Sequence, residues 1–306
     1  MRNRVISIVT GWGGHLGTGH IQRMISLADY LSRRKRMEVS LVCGRVPEFI
    51  SPTIRDYFRP AAVPGSDCVV RDMRDSSIDE ILNLKKLGRI IAVDDCGPGR
   101  DCADRAIDLL PNMCHSVRNK KMFLYGYNFF NSVYRMNEDR IIKTTDVAFY
   151  CGYNPQPETV EFLLSLVPSD CTAALCAGNE SLIVTNRKSS PLRKTYAETL
   201  LSAKVLVSHF GIALYEGHIA GCRLASVNPS EYHSRLADMA SHDIDAINLG
   251  MLKTIHPDES RKTLSLLIAN PRAEEVYPAA VLSSIEAGLE HFYNEIRDLV
   301  DDRTMS

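Results

Sequence analysis

Near its N-terminus the sequence carries a unit that few folds can accommodate. Residues 5–9 form a short, mostly β-branched apolar run, and Gly11, Gly13, Gly14, Gly17 and Gly19 follow it closely. Ile21, Met24, Ile25, Leu27, Ala28 and Leu31 then recur at helical spacing. Strand, glycine loop and amphipathic helix in that order read as a βα unit. A strand apolar on both faces belongs in a parallel sheet with helices on either side.

The same unit suggests chemistry. Glycine lets a loop adopt angles that other residues avoid and lets a ligand approach the main chain. The first N–H groups of a helix lack partners and carry partial positive charge, so the turn at Gly17, Thr18 and Gly19 is a candidate phosphate cradle. His20 stands at its mouth, and an imidazole can accept a proton near neutral pH. Arg23, one turn further, is either a cation for the ligand or a brace for the loop.

The pattern repeats along the chain. Residues 38–43, 68–70 and 89–93 read as strands, 106–110 as a further one, and 21–32 and 78–87 as helices. Residues 112–145 are polar, aromatic and irregular. Alternation then resumes, with strands at 146–151, 171–176 (closed by Gly178), 204–208 and 223–227. Helices are expected at 158–166, 191–202, 211–221, 230–240 and 279–300. The expected fold class is α/β, with two doubly wound Rossmann-like domains facing a cleft. The first spans 1–143 and carries the glycine–histidine loop. The second spans 144–306 and ends in a brace helix. Such sheets bind ligands beyond the carboxyl ends of their strands.

Composition excludes several classes. A length of 306 residues with 45% hydrophobic side chains suits two cores. A net charge of −1 gives no nucleic-acid footprint and no polybasic membrane patch. The run Arg33, Arg34, Lys35, Arg36 reads as a solvated helix end. No apolar run approaches the roughly 20 residues of a membrane span or the roughly 7–15 of a secretory core. Nine cysteines without a Cys-x-x-Cys pair fit a reducing cytoplasm and no zinc site. Cys43, Cys68 and Cys176 read as small core residues. Neither a metal nor a cofactor is expected.

A second constellation follows the strand at 204–208. Ser208, His209, Phe210 and Gly211 lead into a helix whose opening residues Ile212, Ala213 and Leu214 offer N–H groups to a diphosphate. Glu216, one turn in, can accept both hydroxyls of a ribose or simply favour the helix dipole. Gly-x-Gly-His-x-x-Arg at 17–23, with Ser-x-x-Gly-x-x-x-Tyr-Glu at 208–216, resembles the nucleotide-sugar hydrolases of the pseudaminic acid pathway. Those are relatives of the peptidoglycan N-acetylglucosaminyltransferases and share the glycosyltransferase-B fold. Asp94 and Asp95 after a strand, a strand ending at Asn112, and Tyr125-Gly126-Tyr127-Asn128 continue the resemblance. It covers roughly residues 4–250, leaving a helical tail.

The resemblance implies hydrolysis of a UDP-linked amino sugar with inversion at the anomeric carbon, without a metal. It implies His20 as the base that activates water, a substrate loop at Gly17, Thr18 and Gly19, and nucleotide contacts from Ser208, Gly211, Ile212, Ala213, Leu214 and Glu216. Arg23, Asp72 and Arg74 join the substrate contacts. Two departures stand out. Where the family follows Asp72 with His-Tyr or Ser-Tyr, this chain has Met73 and Arg74. A family Gly-Gly pair becomes Gly152-Tyr153. An inverting glycosyltransferase using a hydroxyl acceptor, and a nucleotide-sugar binder without turnover, are the rival readings. Several residues keep two readings each. His15 is an exposed loop residue or part of the site. His209 and His233 are ligand contacts or packing. Asp94 and Asp95 are arginine partners or loop caps. Trp12 is a sugar wall or a packing residue. Tyr125 and Tyr127 read as packing.

Overall fold

A computed structural model of the chain describes residues 4–13, 16–48, 50–114, 122–152, 155–177, 180–185 and 188–302. Gly14, His15, Tyr153, Asn154 and Gly178 lie outside the described residues. The chain divides into two compact units. One is Met1–Tyr127 with Ile285–Ser306, and the other is Asn128–Ser284. This division falls at 127/128, inside a helix and ahead of the expected boundary at 143/144, and most of the terminal helix belongs to the first unit.

The first unit holds a five-stranded parallel sheet in the order β2-β1-β3-β4-β5. The strands are β1 Val5–Thr10, β2 Glu38–Val42, β3 Cys68–Asp72, β4 Arg89–Val93 and β5 Arg105–Ile107. Its helices are α1 Gly19–Lys35, α2 Pro52–Arg55 and α3 Ile78–Lys85. Ile6, Ile8, Val69, Val70, Ile90 and Ile91 are fully buried, as an apolar run covered on both faces requires. The apolar stripe of α1 (Ile21, Met24, Ile25, Leu27, Ala28, Leu31) is likewise fully buried. At about 1.5–3 kcal/mol for each large side chain, that stripe anchors the helix start against the sheet. The basic run at its end is not simply solvated. Arg33 pairs with Asp29, Arg34 with Glu286 and Lys35 with Glu290.

The second unit opens with α4 Tyr127–Tyr134, within a segment expected to be irregular, and with a small antiparallel pair, β6 Ile141–Ile142 with β14 Glu275–Val276. Its main sheet has the order β10-β9-β8-β7-β11-β12-β13. The strands are β7 Thr145–Tyr150, β8 Thr172–Ala177, β9 Glu180–Thr185, β10 Lys188–Thr195, β11 Ala203–Ser208, β12 Arg223–Asn228 and β13 Ala246–Met251. Its helices are α5 Pro157–Ser165, α6 Tyr196–Ser202, α7 Ile212–Ile219, α8 Glu231–Ile244 and α9 Pro257–Ala269, while the terminal α10 Pro278–Asp301 starts here and belongs to the first unit from Ile285 on. Pairing is parallel except for β8-β9-β10, an antiparallel meander at one edge. The helix expected over 191–202 is therefore strand up to Thr195. It becomes helical only where Thr195 and Glu198 form a reciprocal cap.

Both sheets have a topological switch point, where successive connections leave in opposite directions. It lies between β1 and β3 in the first sheet and between β7 and β11 in the second. Ligands of open α/β sheets bind beyond the strand ends at that position.

Candidate active site and nucleotide site

In the first unit the glycine loop folds back on itself. Gly13 N–H donates to Gly17 O at 2.8 Å and Leu16 N–H to Gly13 O at 2.9 Å, with φ of +83° at Gly13 and +65° at Gly17. A side chain at either position would be strained. Thr18 precedes α1, its hydroxyl makes no capping bond, and no acidic residue occupies the first turn from Gly19 on. The helix start keeps its positive end.

His20, with 8% of its surface exposed, directs Nδ1 at Asp72 Oδ1, 2.7 Å away. Asp72 is the last residue of β3 and fully buried, and Thr10, at the end of β1, is its sheet partner. Arg23 donates Nε–H to Asp72 Oδ2 at 2.6 Å and Nη2–H to Oδ1 at 2.5 Å. Its Nη1 lies 2.7 Å from Asp94 Oδ2, a charge-to-charge contact. Asp94 follows β4 with φ +49°, and its Oδ1 accepts the N–H groups of Leu109 (2.6 Å) and Leu110 (3.1 Å). Four strand ends are thereby tied to one guanidinium.

Charge decides the protonation states. Burial alone would lift the Asp72 carboxyl, but Arg23 and then His20 outweigh it and hold Asp72 well below the usual carboxylate range. Burial opposes the charge of Arg23, and Asp72 and Asp94 raise its pKa above the ordinary guanidinium value. A carboxylate oxygen only accepts, so the 2.7 Å contact requires a proton on His20 Nδ1. Nε2 is then the lone-pair nitrogen, the form a general base needs.

Two expected substrate contacts, Arg23 and Asp72, are engaged with each other in this arrangement. Arg23 is 1% exposed and engaged by two carboxylates. Asp72 is saturated by His20 and Arg23. Asp94 and Asp95 prove to be both arginine partners and loop caps. Asp95 accepts from the Ser76 and Gly97 N–H groups and pairs with the buried Arg71. Arg71 in turn donates to the carbonyls of Met73 and Arg74, which fixes the loop after β3. Arg74 is half-buried on that loop. Sequence reading missed Arg71, although an arginine flanked by apolar strand residues was the available signal. Trp12 donates its indole N–H to the Arg45 carbonyl.

In the second unit Ser208 ends β11. It is 3% exposed, and its Oγ has no hydrogen-bond partner among the described residues. Gly211, with φ 156° and ψ −171°, precedes α7, which has no side-chain cap and no acidic residue in its first turn. That backbone region is essentially restricted to glycine. As first helical residues, Ile212 and Ala213 have N–H groups without intrahelical partners. The Leu214 N–H is already bonded to Gly211 O at 3.2 Å, and its side chain is buried.

His209 Nδ1–H donates to the Phe210 carbonyl at 2.9 Å, and burial pushes this imidazole's pKa down, leaving it neutral. Its ring lies 6.3 Å from Tyr150 and 6.4 Å from His233. Gly217 lets α7 lie close against β11, because a Cβ there would come within 2.4 Å of Leu206 Cδ2. Glu216 is buried and engaged as well. It is 3% exposed, and its Oε2 accepts the Tyr196 hydroxyl at 2.7 Å. Burial and the Glu216 charge raise the Tyr196 pKa well above its ordinary value, so the phenol stays the donor. Through this bond Glu216 fastens α7 to α6. Among the described residues no group of three or more His, Cys, Asp or Glu is placed to hold a metal ion, and no helix is long and apolar enough to cross a membrane.

No protein-family model and no curated protein matches the chain. Solved structures do match along nearly its whole length. The calicheamicin glycosyltransferase CalG4 is 12% identical, with a TM-score of 0.60 over 99% of each chain. MurG of Acinetobacter baumannii is 10% identical, with a TM-score of 0.58 over 97% of this chain and 100% of its own. UGT89C1 of Arabidopsis thaliana, complexed with UDP-L-rhamnose, is 10% identical, with a TM-score of 0.55 over 99% of each. Together with the two switch-point sheets, these likenesses establish an α/β fold of two Rossmann-like domains in the glycosyltransferase-B class.

Proposed function

We propose that the chain is an inverting glycosyltransferase that takes its sugar from a nucleoside diphosphate donor. The observation that carries this is the His20–Asp72 contact, which leaves Nε2 as a base. In this reading Nε2 removes the proton of an acceptor hydroxyl as that oxygen attacks the anomeric carbon. The bond from that carbon to the diphosphate oxygen breaks, and the nucleoside diphosphate departs. Ser208 Oγ, the backbone at Gly211 and the N–H groups of Ile212 and Ala213 receive the diphosphate and its growing negative charge. The unpartnered Ser208 hydroxyl supports this, because a buried polar group without a partner costs about 1–3 kcal/mol unless a ligand supplies one. The glycosyltransferases of like fold, one of them solved with a UDP-sugar, favour this donor class.

A hydrolase reading uses the same groups with water as acceptor. The motifs at 17–23 and 208–216 support it, with the UDP-linked amino sugars of the pseudaminic acid pathway as substrates. Met73 and Arg74 after Asp72 count against it. Purified protein is incubated with a panel of UDP- and dTDP-sugars, with and without hydroxyl acceptors, and followed by NMR. Nucleotide release that depends on the acceptor is the expected result, and release in water alone identifies a hydrolase. Binding without any release removes both. His20→Ala is expected to lower turnover about 10²–10⁴-fold while leaving UDP affinity unchanged. Full turnover by that variant would remove the base.

A further inference from the structure

A chain of amides, buried at Asn228, runs from the loop that opens α7 to α8. Asn228, the last residue of β12, is fully buried. Its Oδ1 accepts the Phe210 N–H at 2.8 Å. Its Nδ2 donates to Ser226 Oγ at 3.1 Å and Asn248 Oδ1 at 3.0 Å. The backbone N–H can only donate, so the orientation of this amide is fixed. Asn248, on β13, has its own Nδ2 donating to Ser234 O (3.0 Å), Ser234 Oγ (2.9 Å) and Asp238 Oδ1 (2.8 Å) on α8. The Asn228 carbonyl accepts the Leu252 N–H at 2.9 Å, which pins its main chain as well.

The residue held by this chain is placed where it matters. Phe210 stands between His209 and Gly211, and Gly211 adopts a backbone conformation that few sequences hold without help. Side-chain acceptors for Phe210 N–H other than Asn228 are absent among the described residues. Loss of that acceptor frees the turn to move the N–H groups of α7 and the Ser208 hydroxyl out of register. A phosphate group bound by several such donors depends steeply on their alignment.

We propose that Asn228 is a positioning residue of the nucleotide site. Its amide holds the turn at residues 208–211 in the shape that receives a diphosphate, and Asn248 ties that shape to α8. This rests on the reading of Ser208, Gly211 and the start of α7 as the diphosphate site. Asn228 does not touch the ligand.

The test uses the full chain, UDP as probe by calorimetry, and hydrogen exchange of peptides covering residues 208–214. Asn228→Leu is expected to weaken UDP binding at least tenfold and to speed exchange in those peptides, with β7 and β8 unchanged. Ser226→Ala removes a partner of Asn228 but leaves the Phe210 bond, so it lowers the melting temperature without altering UDP affinity. Asn228→Asp keeps an acceptor for Phe210 N–H but sets a carboxylate oxygen against Asn248 Oδ1, so it is expected to keep slow exchange at residues 208–214 while lowering the melting temperature. Should Asn228→Leu not fold, Asn228→Ser, whose hydroxyl stops short of Phe210, takes its place. UDP affinity and exchange in Asn228→Leu equal to wild type overturn the proposal, as does a tenfold loss of affinity in Ser226→Ala. Wild-type protein that binds no nucleoside diphosphate overturns the nucleotide reading instead. Exchange in the Asn228 variants then decides separately whether Asn228 holds the turn.

Discussion

Replacing Arg23 by methionine tests the buried charge cluster without any assumption about substrate. The side chains are similar in length, but the guanidinium that serves Asp72 and Asp94 disappears. Asp72 is fully buried and Asp94 nearly so, at 9% exposed. Removing one partner of a buried pair costs about 3–5 kcal/mol, because the remaining charge is left uncompensated. At roughly 2–4 °C for each kcal/mol in a unit of this size, the melting temperature should fall by about 10 °C.

The loss also carries a pH signature. In the wild type Asp72 is depressed below its unfolded value, so its contribution is present above about pH 4 and fades as pH falls further. In the variant burial dominates and lifts Asp72 above the unfolded value. Its penalty is then absent below about pH 4 and grows as pH rises through the lifted value. Melting curves from pH 4 to 8 should show the two proteins converging in acid and separating near neutrality. Equal melting temperatures at pH 7, or a gap that does not change with pH, would refute the reasoning.

Two further outcomes follow from the second unit. Gly211→Ala forces a residue with a Cβ into a glycine-restricted conformation, at about 1–3 kcal/mol. Calorimetry should show a loss of UDP affinity larger than any change in the affinity of ligands to the first unit. Glu216→Leu strands the buried Tyr196 hydroxyl and should cost about 1–3 kcal/mol by denaturant unfolding. Glu216→Gln, which still accepts that hydroxyl, should lose far less, and neither should abolish UDP binding if the carboxylate is a brace.

Much of the fold was legible because parallel strands apolar on both faces are short, bounded and easily seen, as at residues 5–9, 89–93 and 204–208. The segment 188–195 was not. Its strand pairing depends on β9, and Pro191 with nearby polar residues gave no periodicity to read. The unit boundary was illegible for a related reason, since α10 rejoins the first unit through contacts far away in sequence. At the site, glycines and His20 stood out because backbone freedom and imidazole chemistry are properties of single residues. The pairing of Arg23 with Asp72 and Asp94 was not legible, because a charged group's partners come from different strands. The partner of Glu216 was hidden in the same way, because Tyr196 on α6 donates to its carboxylate. Asn228 carried no motif, and only the direction of its amide reveals what it holds.

The proposed base depends on the proton at one ring nitrogen of His20. A long-range ¹H–¹⁵N spectrum of the histidines, with His20 assigned through His20→Gln, reads it directly at pH 8. The expected pattern for His20 is a protonated Nδ1 facing Asp72 and an unprotonated Nε2. A protonated Nε2 with a bare Nδ1 would contradict it and leave the chain without its base.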